Sequence, residues 1–367
     1  MPRSHVSLLI VSAMLLLPHA LRGDTLVTLD GRSLDGTARF ESDALVFSPR
    51  GGSTLKFPLN EVLHLSFDGP AAPVLSQGLV LADGSRVRVR DFVSSDGRTL
   101  RLRTNDGQER TCSLGMVAAL VFAEPSLPES PPTDPGAVLS NGDFFAGELL
   151  AIKDNQLAVS SVLFGIRRFR LGQDVQSFWV RVPRKLDGPR LLNLSDGSSL
   201  EASNAVLRDG KLHLEHALAG RLALQPRDIR EIRVAGPRVA ALSSFRIVEP
   251  PAASLVPAVR IEAGERDARI FQRCGSTVSF DLPPDAEVLI TEIGTAPGSL
   301  PVAGLRFLVL VDGRPVANSE PITALDAPKR LAAPVRGAKR LTLVVESQPA
   351  LDLPLIGLWN DPLIVRD

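Results

Sequence analysis

The sequence predicts an all-β chain in which four small five-stranded units stand in tandem and a larger antiparallel β-sandwich follows. Three observations carry that expectation. A two-residue turn signal recurs four times at near-constant spacing. The segments around it alternate apolar and polar residues, as half-buried strands do. After about residue 243 the recurrence stops, and strand-like segments of a different spacing begin.

The recurring turn is Asp30-Gly31, Asp83-Gly84, Asn141-Gly142 and Asp196-Gly197, at intervals of 53, 58 and 55 residues. Asp-Gly and Asn-Gly supply the positive φ angles that a tight hairpin needs, so each should join two strands. The preceding strands are expected at 26–29, 78–81, 137–139 and 191–194. A later strand is expected at 44–47, 99–102, 156–159 and 211–214, each announced by a second turn signal: Ser42-Asp43, Asp96-Gly97, Asp154-Asn155 and Asp209-Gly210. A further strand follows, as at 55–57 and 221–224. Each unit then closes with one tight helical turn (59–62, 114–117, 171–175, 226–229) and a last strand (63–67, 118–122, 176–180, 230–234).

Arg86-Val87-Arg88-Val89-Arg90 places arginines on one face and valines on the other, the period-two pattern of a strand. Five short strands with a helical turn before the fifth resemble the SH3-like and Sm-like small β-barrels. The units are expected at 24–68, 77–123, 137–182 and 190–235. A linker at 124–136 with Pro125, Pro128, Pro131, Pro132 and Pro135 reads as a stiff spacer, and weaker joints fall at 69–77, 183–189 and 249–257. Independent beads and barrels that share an edge both fit this layout.

Arg3 and His5 precede a 12-residue apolar run at 6–17, and Pro18 breaks it. That is the layout of a signal peptide over 1–23, and the run falls short of the roughly 17–25 residues of a spanning helix. No stable membrane span is expected. Export to the periplasm or cell surface follows, with an uncleaved N-terminal anchor as the alternative.

The final third carries strand signals at 277–282, 288–293, 305–311, 329–332 and 340–345, with a tight turn at Asp312-Gly313, and reads as an antiparallel sandwich over 243–367. Four stretches within it carry a family likeness: Val278-Ser279-Phe280-Asp281-Leu282-Pro283, Phe307-Leu308-Val309-Leu310-Val311-Asp312-Gly313-Arg314, residues 337–345, and Gly357-Leu358-Trp359-Asn360-Asp361-Pro362-Leu363. Together they resemble the NPCBM family of carbohydrate-binding modules, which are appended to bacterial glycoside hydrolases including family 98. The resemblance implies a jelly-roll β-sandwich and a glycan partner. The sequence departs from the family at Phe271-Gln272-Arg273-Cys274-Gly275-Ser276, where a Gly-x-Gly-x-His type of segment is usual.

Composition narrows the function further. Forty-one Lys plus Arg balance 41 Asp plus Glu, so the chain lacks the long-range field of a dedicated nucleic-acid binder, and no nucleic-acid partner is expected. Two cysteines, Cys112 and Cys274, fall in different expected domains and give neither a metal cluster nor a disulfide framework. His213-Leu214-Glu215-His216 has the look of a metal fragment, yet on a strand His213 shares a face with Glu215 while His216 points the other way. No nucleophile–base motif occurs, so no catalytic residue, metal or cofactor is expected and the chain is read as non-enzymatic. Sugar sites stack aromatic rings on pyranose faces and bond hydroxyls with carboxylates, which makes Trp359, Asp361 and Asp312 the candidate carbohydrate-binding residues. Phe245, Phe271, Phe280 and Phe307 sit in strand patterns and read as core. The alternative reading is a scaffold for envelope proteins, with buried aromatics and strand-accepting edges.

Overall fold

A computed structural model describes residues 23–70, 73, 77–94, 96–104, 107–123, 131–184, 190–216, 218, 220–234, 236–248, 258–263, 268–299, 304–348 and 355–367. The expected leader up to residue 22, residues 124–130 of the spacer, and the joints at 185–189 and 249–257 lie outside the described residues.

Unit 1 contains β1 (Asp24–Thr28), β2 (Ser33–Glu41), β3 (Ala44–Pro49), β4 (Leu55–Phe57) and β5 (Val62–Ser66), with a 3-10 turn at Leu59–Glu61. Unit 2 repeats the order as β6 (Gly78–Leu81), β7 (Arg86–Val93), β8 (Thr99–Thr104), β9 (Glu109–Ser113) and β10 (Val117–Val121), with its 3-10 turn at Leu114–Met116. Unit 3 has β11 (Gly136–Leu139), β12 (Phe144–Ala146), β13 (Glu148–Lys153), β14 (Gln156–Ser161), β15 (Gly165–Arg170) and β16 (Val175–Trp179). Unit 4 has β17 (Arg190–Leu194), β18 (Ser199–Glu201), β19 (Val206–Arg208), β20 (Lys211–His216), β21 (Gly220–Leu224), a 3-10 turn at Pro226–Asp228 and β22 (Ile229–Val234).

Two local expectations need correction. The second strand of units 3 and 4 is broken in two, giving six strands rather than five. In unit 3 the break falls at Gly147, where a Cβ would stand 2.5 Å from the Ser160 carbonyl oxygen, so only glycine lets the chain pass. The closing turn of unit 3 is not helical. Leu171 bridges to Val175 around Gly172 at φ +72°, a left-handed residue that cannot continue a right-handed turn.

The units are joined edge to edge. β5 of unit 1 pairs with β22 of unit 4 (Leu65 opposite Ile232, His64 opposite Arg233), β10 of unit 2 pairs with β16 of unit 3, and β7 meets β18 at Arg86 opposite Ser199. Edge N–H and C=O groups that would otherwise face solvent are thereby paired. One continuous core runs through all four units and includes Phe47, Leu65, Leu100, Leu120, Leu157, Phe178, Leu212 and Ile232. Shared edges, rather than separate beads, are the arrangement found. The arginine strand behaves as its alternation requires: Val87 and Val89 are buried, while Arg88 donates from Nη1 to the Asp196 carbonyl at 3.0 Å. On β20 His216 is buried beside Leu214 and Glu215 is exposed.

The remainder is a two-sheet sandwich formed by β23 (Val239–Ala241), β24 (Val259–Ala263), β25 (Ala268–Arg273), β26 (Thr277–Asp281), β27 (Ala286–Thr295), β28 (Gly304–Val311), β29 (Arg314–Asn318), β30 (Lys329–Pro334), β31 (Arg340–Gln348) and β32 (Ile356–Arg366). One sheet has the order β24-β25-β32-β27-β30, with β23 also on β32, and the other has the order β26-β31-β28-β29. Phe280, Phe307, Leu341 and Leu343 of the second sheet meet Ile270, Leu289, Ile293, Trp359 and Ile364 of the first in a separate core. Residues 239–241 already pair with β32, so the sandwich begins before the boundary at 243 that the sequence suggested. Cys274 is half-buried, whereas Cys112 is buried.

The two cores are bridged by a third apolar cluster. Val27 and Leu63 of unit 1 pack with Ile290 and Val365 of the sandwich, flanked by Leu29, Val234, Val239, Val288 and Ala332. The first landmark turn takes part: a Cβ on Gly31, at φ +86°, would lie 2.6 Å from the Ala332 Cβ. Only a glycine fits there.

Candidate functional site

The three residues singled out from sequence fall in three different environments. Trp359 is fully buried in the sandwich core. Its ring meets Phe307 edge-to-face at 5.0 Å between centroids, and its Nε1 donates to the Gln272 Oε1 at 2.8 Å. Gln272, itself fully buried, donates from Nε2 to the Leu343 carbonyl at 3.0 Å and the Ser276 carbonyl at 2.8 Å. Trp359 therefore offers no ring face to a ligand, and the segment that departs from the family pattern supplies its hydrogen-bond partner.

Asp312 occupies the hairpin turn between β28 and β29 at φ 47°. Its carboxylate accepts from the Arg340 and Lys339 backbone N–H groups at 2.9 and 3.2 Å. That is the work of a turn aspartate tying a neighbouring strand.

Asp361 is the residue the fold presents to a cavity. Opposite the segment Ile290 to Glu292 of β27, strand β32 carries one extra residue between Asn360 and Leu363, and Asp361 takes a left-handed φ of 48°. This is a β-bulge, and Pro362 explains it: proline cannot donate to a ladder, so a central strand accommodates one at a bulge. Thr291 Oγ1 closes the gap by donating to the Asn360 carbonyl at 3.0 Å. The bulge turns the Asp361 carboxylate toward unit 4, where Arg233 Nη1 lies 3.3 Å away.

Around Asp361 lies a cleft of about 260 Å³ between the sandwich and units 1 and 4. Arg269, Glu292, Arg330, Asn360 and Asp361 line it from the sandwich, and His64 and Arg233 from the repeats, over an apolar floor that includes Val27, Leu63 and Ile290. The volume is just below the roughly 300–1,000 Å³ of sites for drug-sized ligands, room for one sugar ring rather than a long chain.

The charges are organised. Glu231 Oε1 lies 2.8 Å from His64 Nε2 and accepts from Arg233 Nη2 at 3.1 Å, while Oε2 accepts from Asn193 Nδ2 at 2.6 Å. Burial pushes the Glu231 carboxyl up, but the adjacent His64 imidazole, the Arg233 guanidinium and the Asn193 amide outweigh it and hold it at about 2. On the opposite wall Asn360 Nδ2 donates to Glu292 Oε2 at 3.1 Å. Burial pulls the Arg330 guanidinium below its ordinary value, an effect that Glu292 and Asp361 oppose, and Arg330 Nη1 is buried with no hydrogen-bond partner among the described residues. A buried donor left open in a polar cleft invites an acceptor.

Only Asp361 of this constellation was anticipated. Arg233, Glu292 and Arg330 sit on β22, β27 and β30 and carry no motif. The one available signal was Asn360-Asp361-Pro362, a proline inside a strand, which marks a bulge.

A two-sheet antiparallel sandwich with a buried tryptophan plug and a polar cleft at a bulged closing strand is the class of domain that fold and site define. Within it, residues 270–362 match the NPCBM/NEW2 domain. No curated protein matches the chain. Solved structures similar to it include the CBM51 of a Clostridium perfringens GH95 in complex with methyl-galactose, at 17% identity and TM-score 0.28, covering 35% of this chain and 99% of that one. The tandem CBM51 modules of Sp3GH98, the family 98 glycoside hydrolase of Streptococcus pneumoniae SP3-BS71, align at 10% identity and TM-score 0.31 over 94% of this chain and 88% of that one. CBM51-2 and INT domains of C. perfringens ZmpB, in complex with GlcNAc, align at 15% identity and TM-score 0.31 over 56% of this chain, and the match spans less than half of that one, 44%. Among the described residues no helix is long and apolar enough to cross a membrane.

Proposed function

We propose that this chain is an exported, non-catalytic glycan-binding protein that takes a single sugar residue in the cleft at the Asp361 bulge. The observation that carries the reading is the NPCBM/NEW2 match over residues 270–362, whose closing strand supplies Asn360 and Asp361 to that cleft. The chemistry suits sugar hydroxyls. Planar amide, carboxylate and guanidinium groups bond vicinal hydroxyls in pairs, the open Arg330 Nη1 supplies a free donor, and Ile290 and Leu63 give an apolar floor to the C–H face of a ring. No aromatic platform takes part, since Trp359 is enclosed. In this reading Asp361 is the ligand-contacting member of the original three, and Asp312 and Trp359 shape the sandwich.

The repeats then act as a support. Each unit is an SH3-like barrel, the four share edges, and His64 with Arg233 completes one wall of the site. The chain works at the cell envelope or outside it, as the leader-like first 23 residues suggest. The test is a screen of the full chain against immobilised glycans, repeated with Asn360→Ala. Selective binding that the free sugar competes and that Asn360→Ala weakens at least tenfold supports the reading. Indifference to every glycan offered, or equal binding by the variant, overturns it.

A further inference from the structure

One hairpin tip breaks the rule the others follow. Where the landmark turns carry Asp-Gly or Asn-Gly, the connection from β14 to β15 reads Ser161-Val162-Leu163-Phe164-Gly165-Ile166. Val162 is 103% exposed, Leu163 82%, Phe164 59% and Ile166 64%, four large apolar side chains held together in solvent. A cluster of that kind marks a contact surface rather than ordinary surface scatter. The finger has a defined base: the Phe164 ring lies 5.7 Å from Phe145, which in turn lies 5.2 Å from Phe169, and the β14–β15 register is unbroken from Gln156 opposite Arg170 to Ser161 opposite Gly165.

Just behind the tip stand two cations. Arg167 and Arg168 are exposed and form no ion pair among the described residues, whereas Arg170 is held by Asp174 at 2.8 Å. The carboxylate that faces this part of the sheet is Glu148, on the far strand β13 opposite Ser160. At about 3.3 Å per residue, Arg167 and Arg168 lie roughly 7–10 Å back from Gly165 along the strand. That distance matches the roughly 5–10 Å by which apolar groups enter the boundary between headgroups and acyl chains.

From this geometry we propose that the β14–β15 finger docks the protein on an anionic lipid surface. Val162, Leu163, Phe164 and Ile166 enter the interface, and Arg167 and Arg168 meet the lipid phosphates. The zero net charge of the whole chain gives no long-range attraction, so attachment rests on this short-range contact. The proposal is independent of the sugar cleft, which is built by other strands.

The experiment is co-sedimentation of the full chain with vesicles of phosphatidylcholine alone and of phosphatidylcholine with phosphatidylglycerol. The chain should sediment with the anionic vesicles and several-fold less with the zwitterionic ones. Val162→Asp with Leu163→Asp should lower binding at least tenfold. Arg167→Glu with Arg168→Glu should remove the preference for phosphatidylglycerol while leaving the weak binding to phosphatidylcholine. These side chains are exposed, so thermal melts of both variants should overlay the parent. Failure of the parent to bind either vesicle overturns the proposal, as does equal binding by the double aspartate variant. Self-association or capture of a protein through the tip, without vesicle binding, also overturns it and assigns the finger to a protein partner.

Discussion

Trp359 decides between two readings of the same residue, a ligand platform or the plug of the sandwich. Its burial, the edge-on contact with Phe307 and the 2.8 Å hydrogen bond to Gln272 make it a plug. Trp359→Ala empties an indole-sized space in the core, and such truncations cost about 3–5 kcal/mol. At about 4 °C per kcal/mol for a domain of this size, the sandwich transition should fall by roughly 12–20 °C. Trp359→Phe keeps most of the ring contact but leaves the fully buried Gln272 Oε1 without its donor, a loss of about 1–3 kcal/mol. Thermal and urea unfolding of the full chain, followed by far-ultraviolet circular dichroism, measure both, since the Trp179 left in these variants reports on the repeats. The plug account expects Trp359→Phe to weaken the fold in this range while glycan affinity below the transition stays within twofold of the parent. If Trp359→Phe leaves stability untouched and removes glycan binding, the burial argument fails and the ring is a ligand platform.

Further outcomes follow from the seam between repeats and sandwich. Gly31→Ala adds a clash with Ala332 to the cost of a positive φ, whereas Gly142→Ala, at φ +90° with open space around it, carries only the backbone cost of about 1–2 kcal/mol; thermal melts should show Gly31→Ala as the more damaging by a clear margin. Glu231 should give the seam an acid-sensitive step. A carboxyl held at about 2 instead of its ordinary 4.5 contributes stability that is fully present above about pH 4.5 and is lost as the pH falls toward 2. The groups facing it are His64 from β5, Asn193 from β17 and Arg233 on its own strand, with Asp361 of β32 beyond. Glu231→Gln should flatten that part of a stability–pH profile, and an unchanged profile would show that the step belongs elsewhere. Asp361→Ala must hold a left-handed φ without the aspartate's local bonding and also loses Arg233, so it should destabilise by about 1–2 kcal/mol more than Asp361→Asn in chemical denaturation.

Much of the strand pattern was legible because hairpin chemistry is local. Asp-Gly and Asn-Gly turns, alternating valines and arginines, and the closing apolar segments placed most strands of the four units within a residue or two. The breaks at Gly147 and Gly172 were not legible, because each depends on what approaches the glycine in space. The same holds for β24, β25 and β32. Val259 and Ile270 are core residues on short segments whose role appears only when β32 threads between β25 and β27. How the units meet was beyond the sequence for a physical reason: an edge strand looks the same whether water or another edge satisfies its backbone. The candidate site was half legible. Asp361 could be named, but its use depends on Arg233, 128 residues away, and on a bulge that only the pairing register reveals.

The most direct test of the central claim is a crystal structure of the full chain soaked with the sugar that the glycan screen selects. The account predicts ring density in the cleft between β27, β32 and the β5–β22 seam, within hydrogen-bond distance of Arg330 Nη1 and the Asn360 amide. Density on another face of the sandwich, with this cleft holding only solvent, would contradict it.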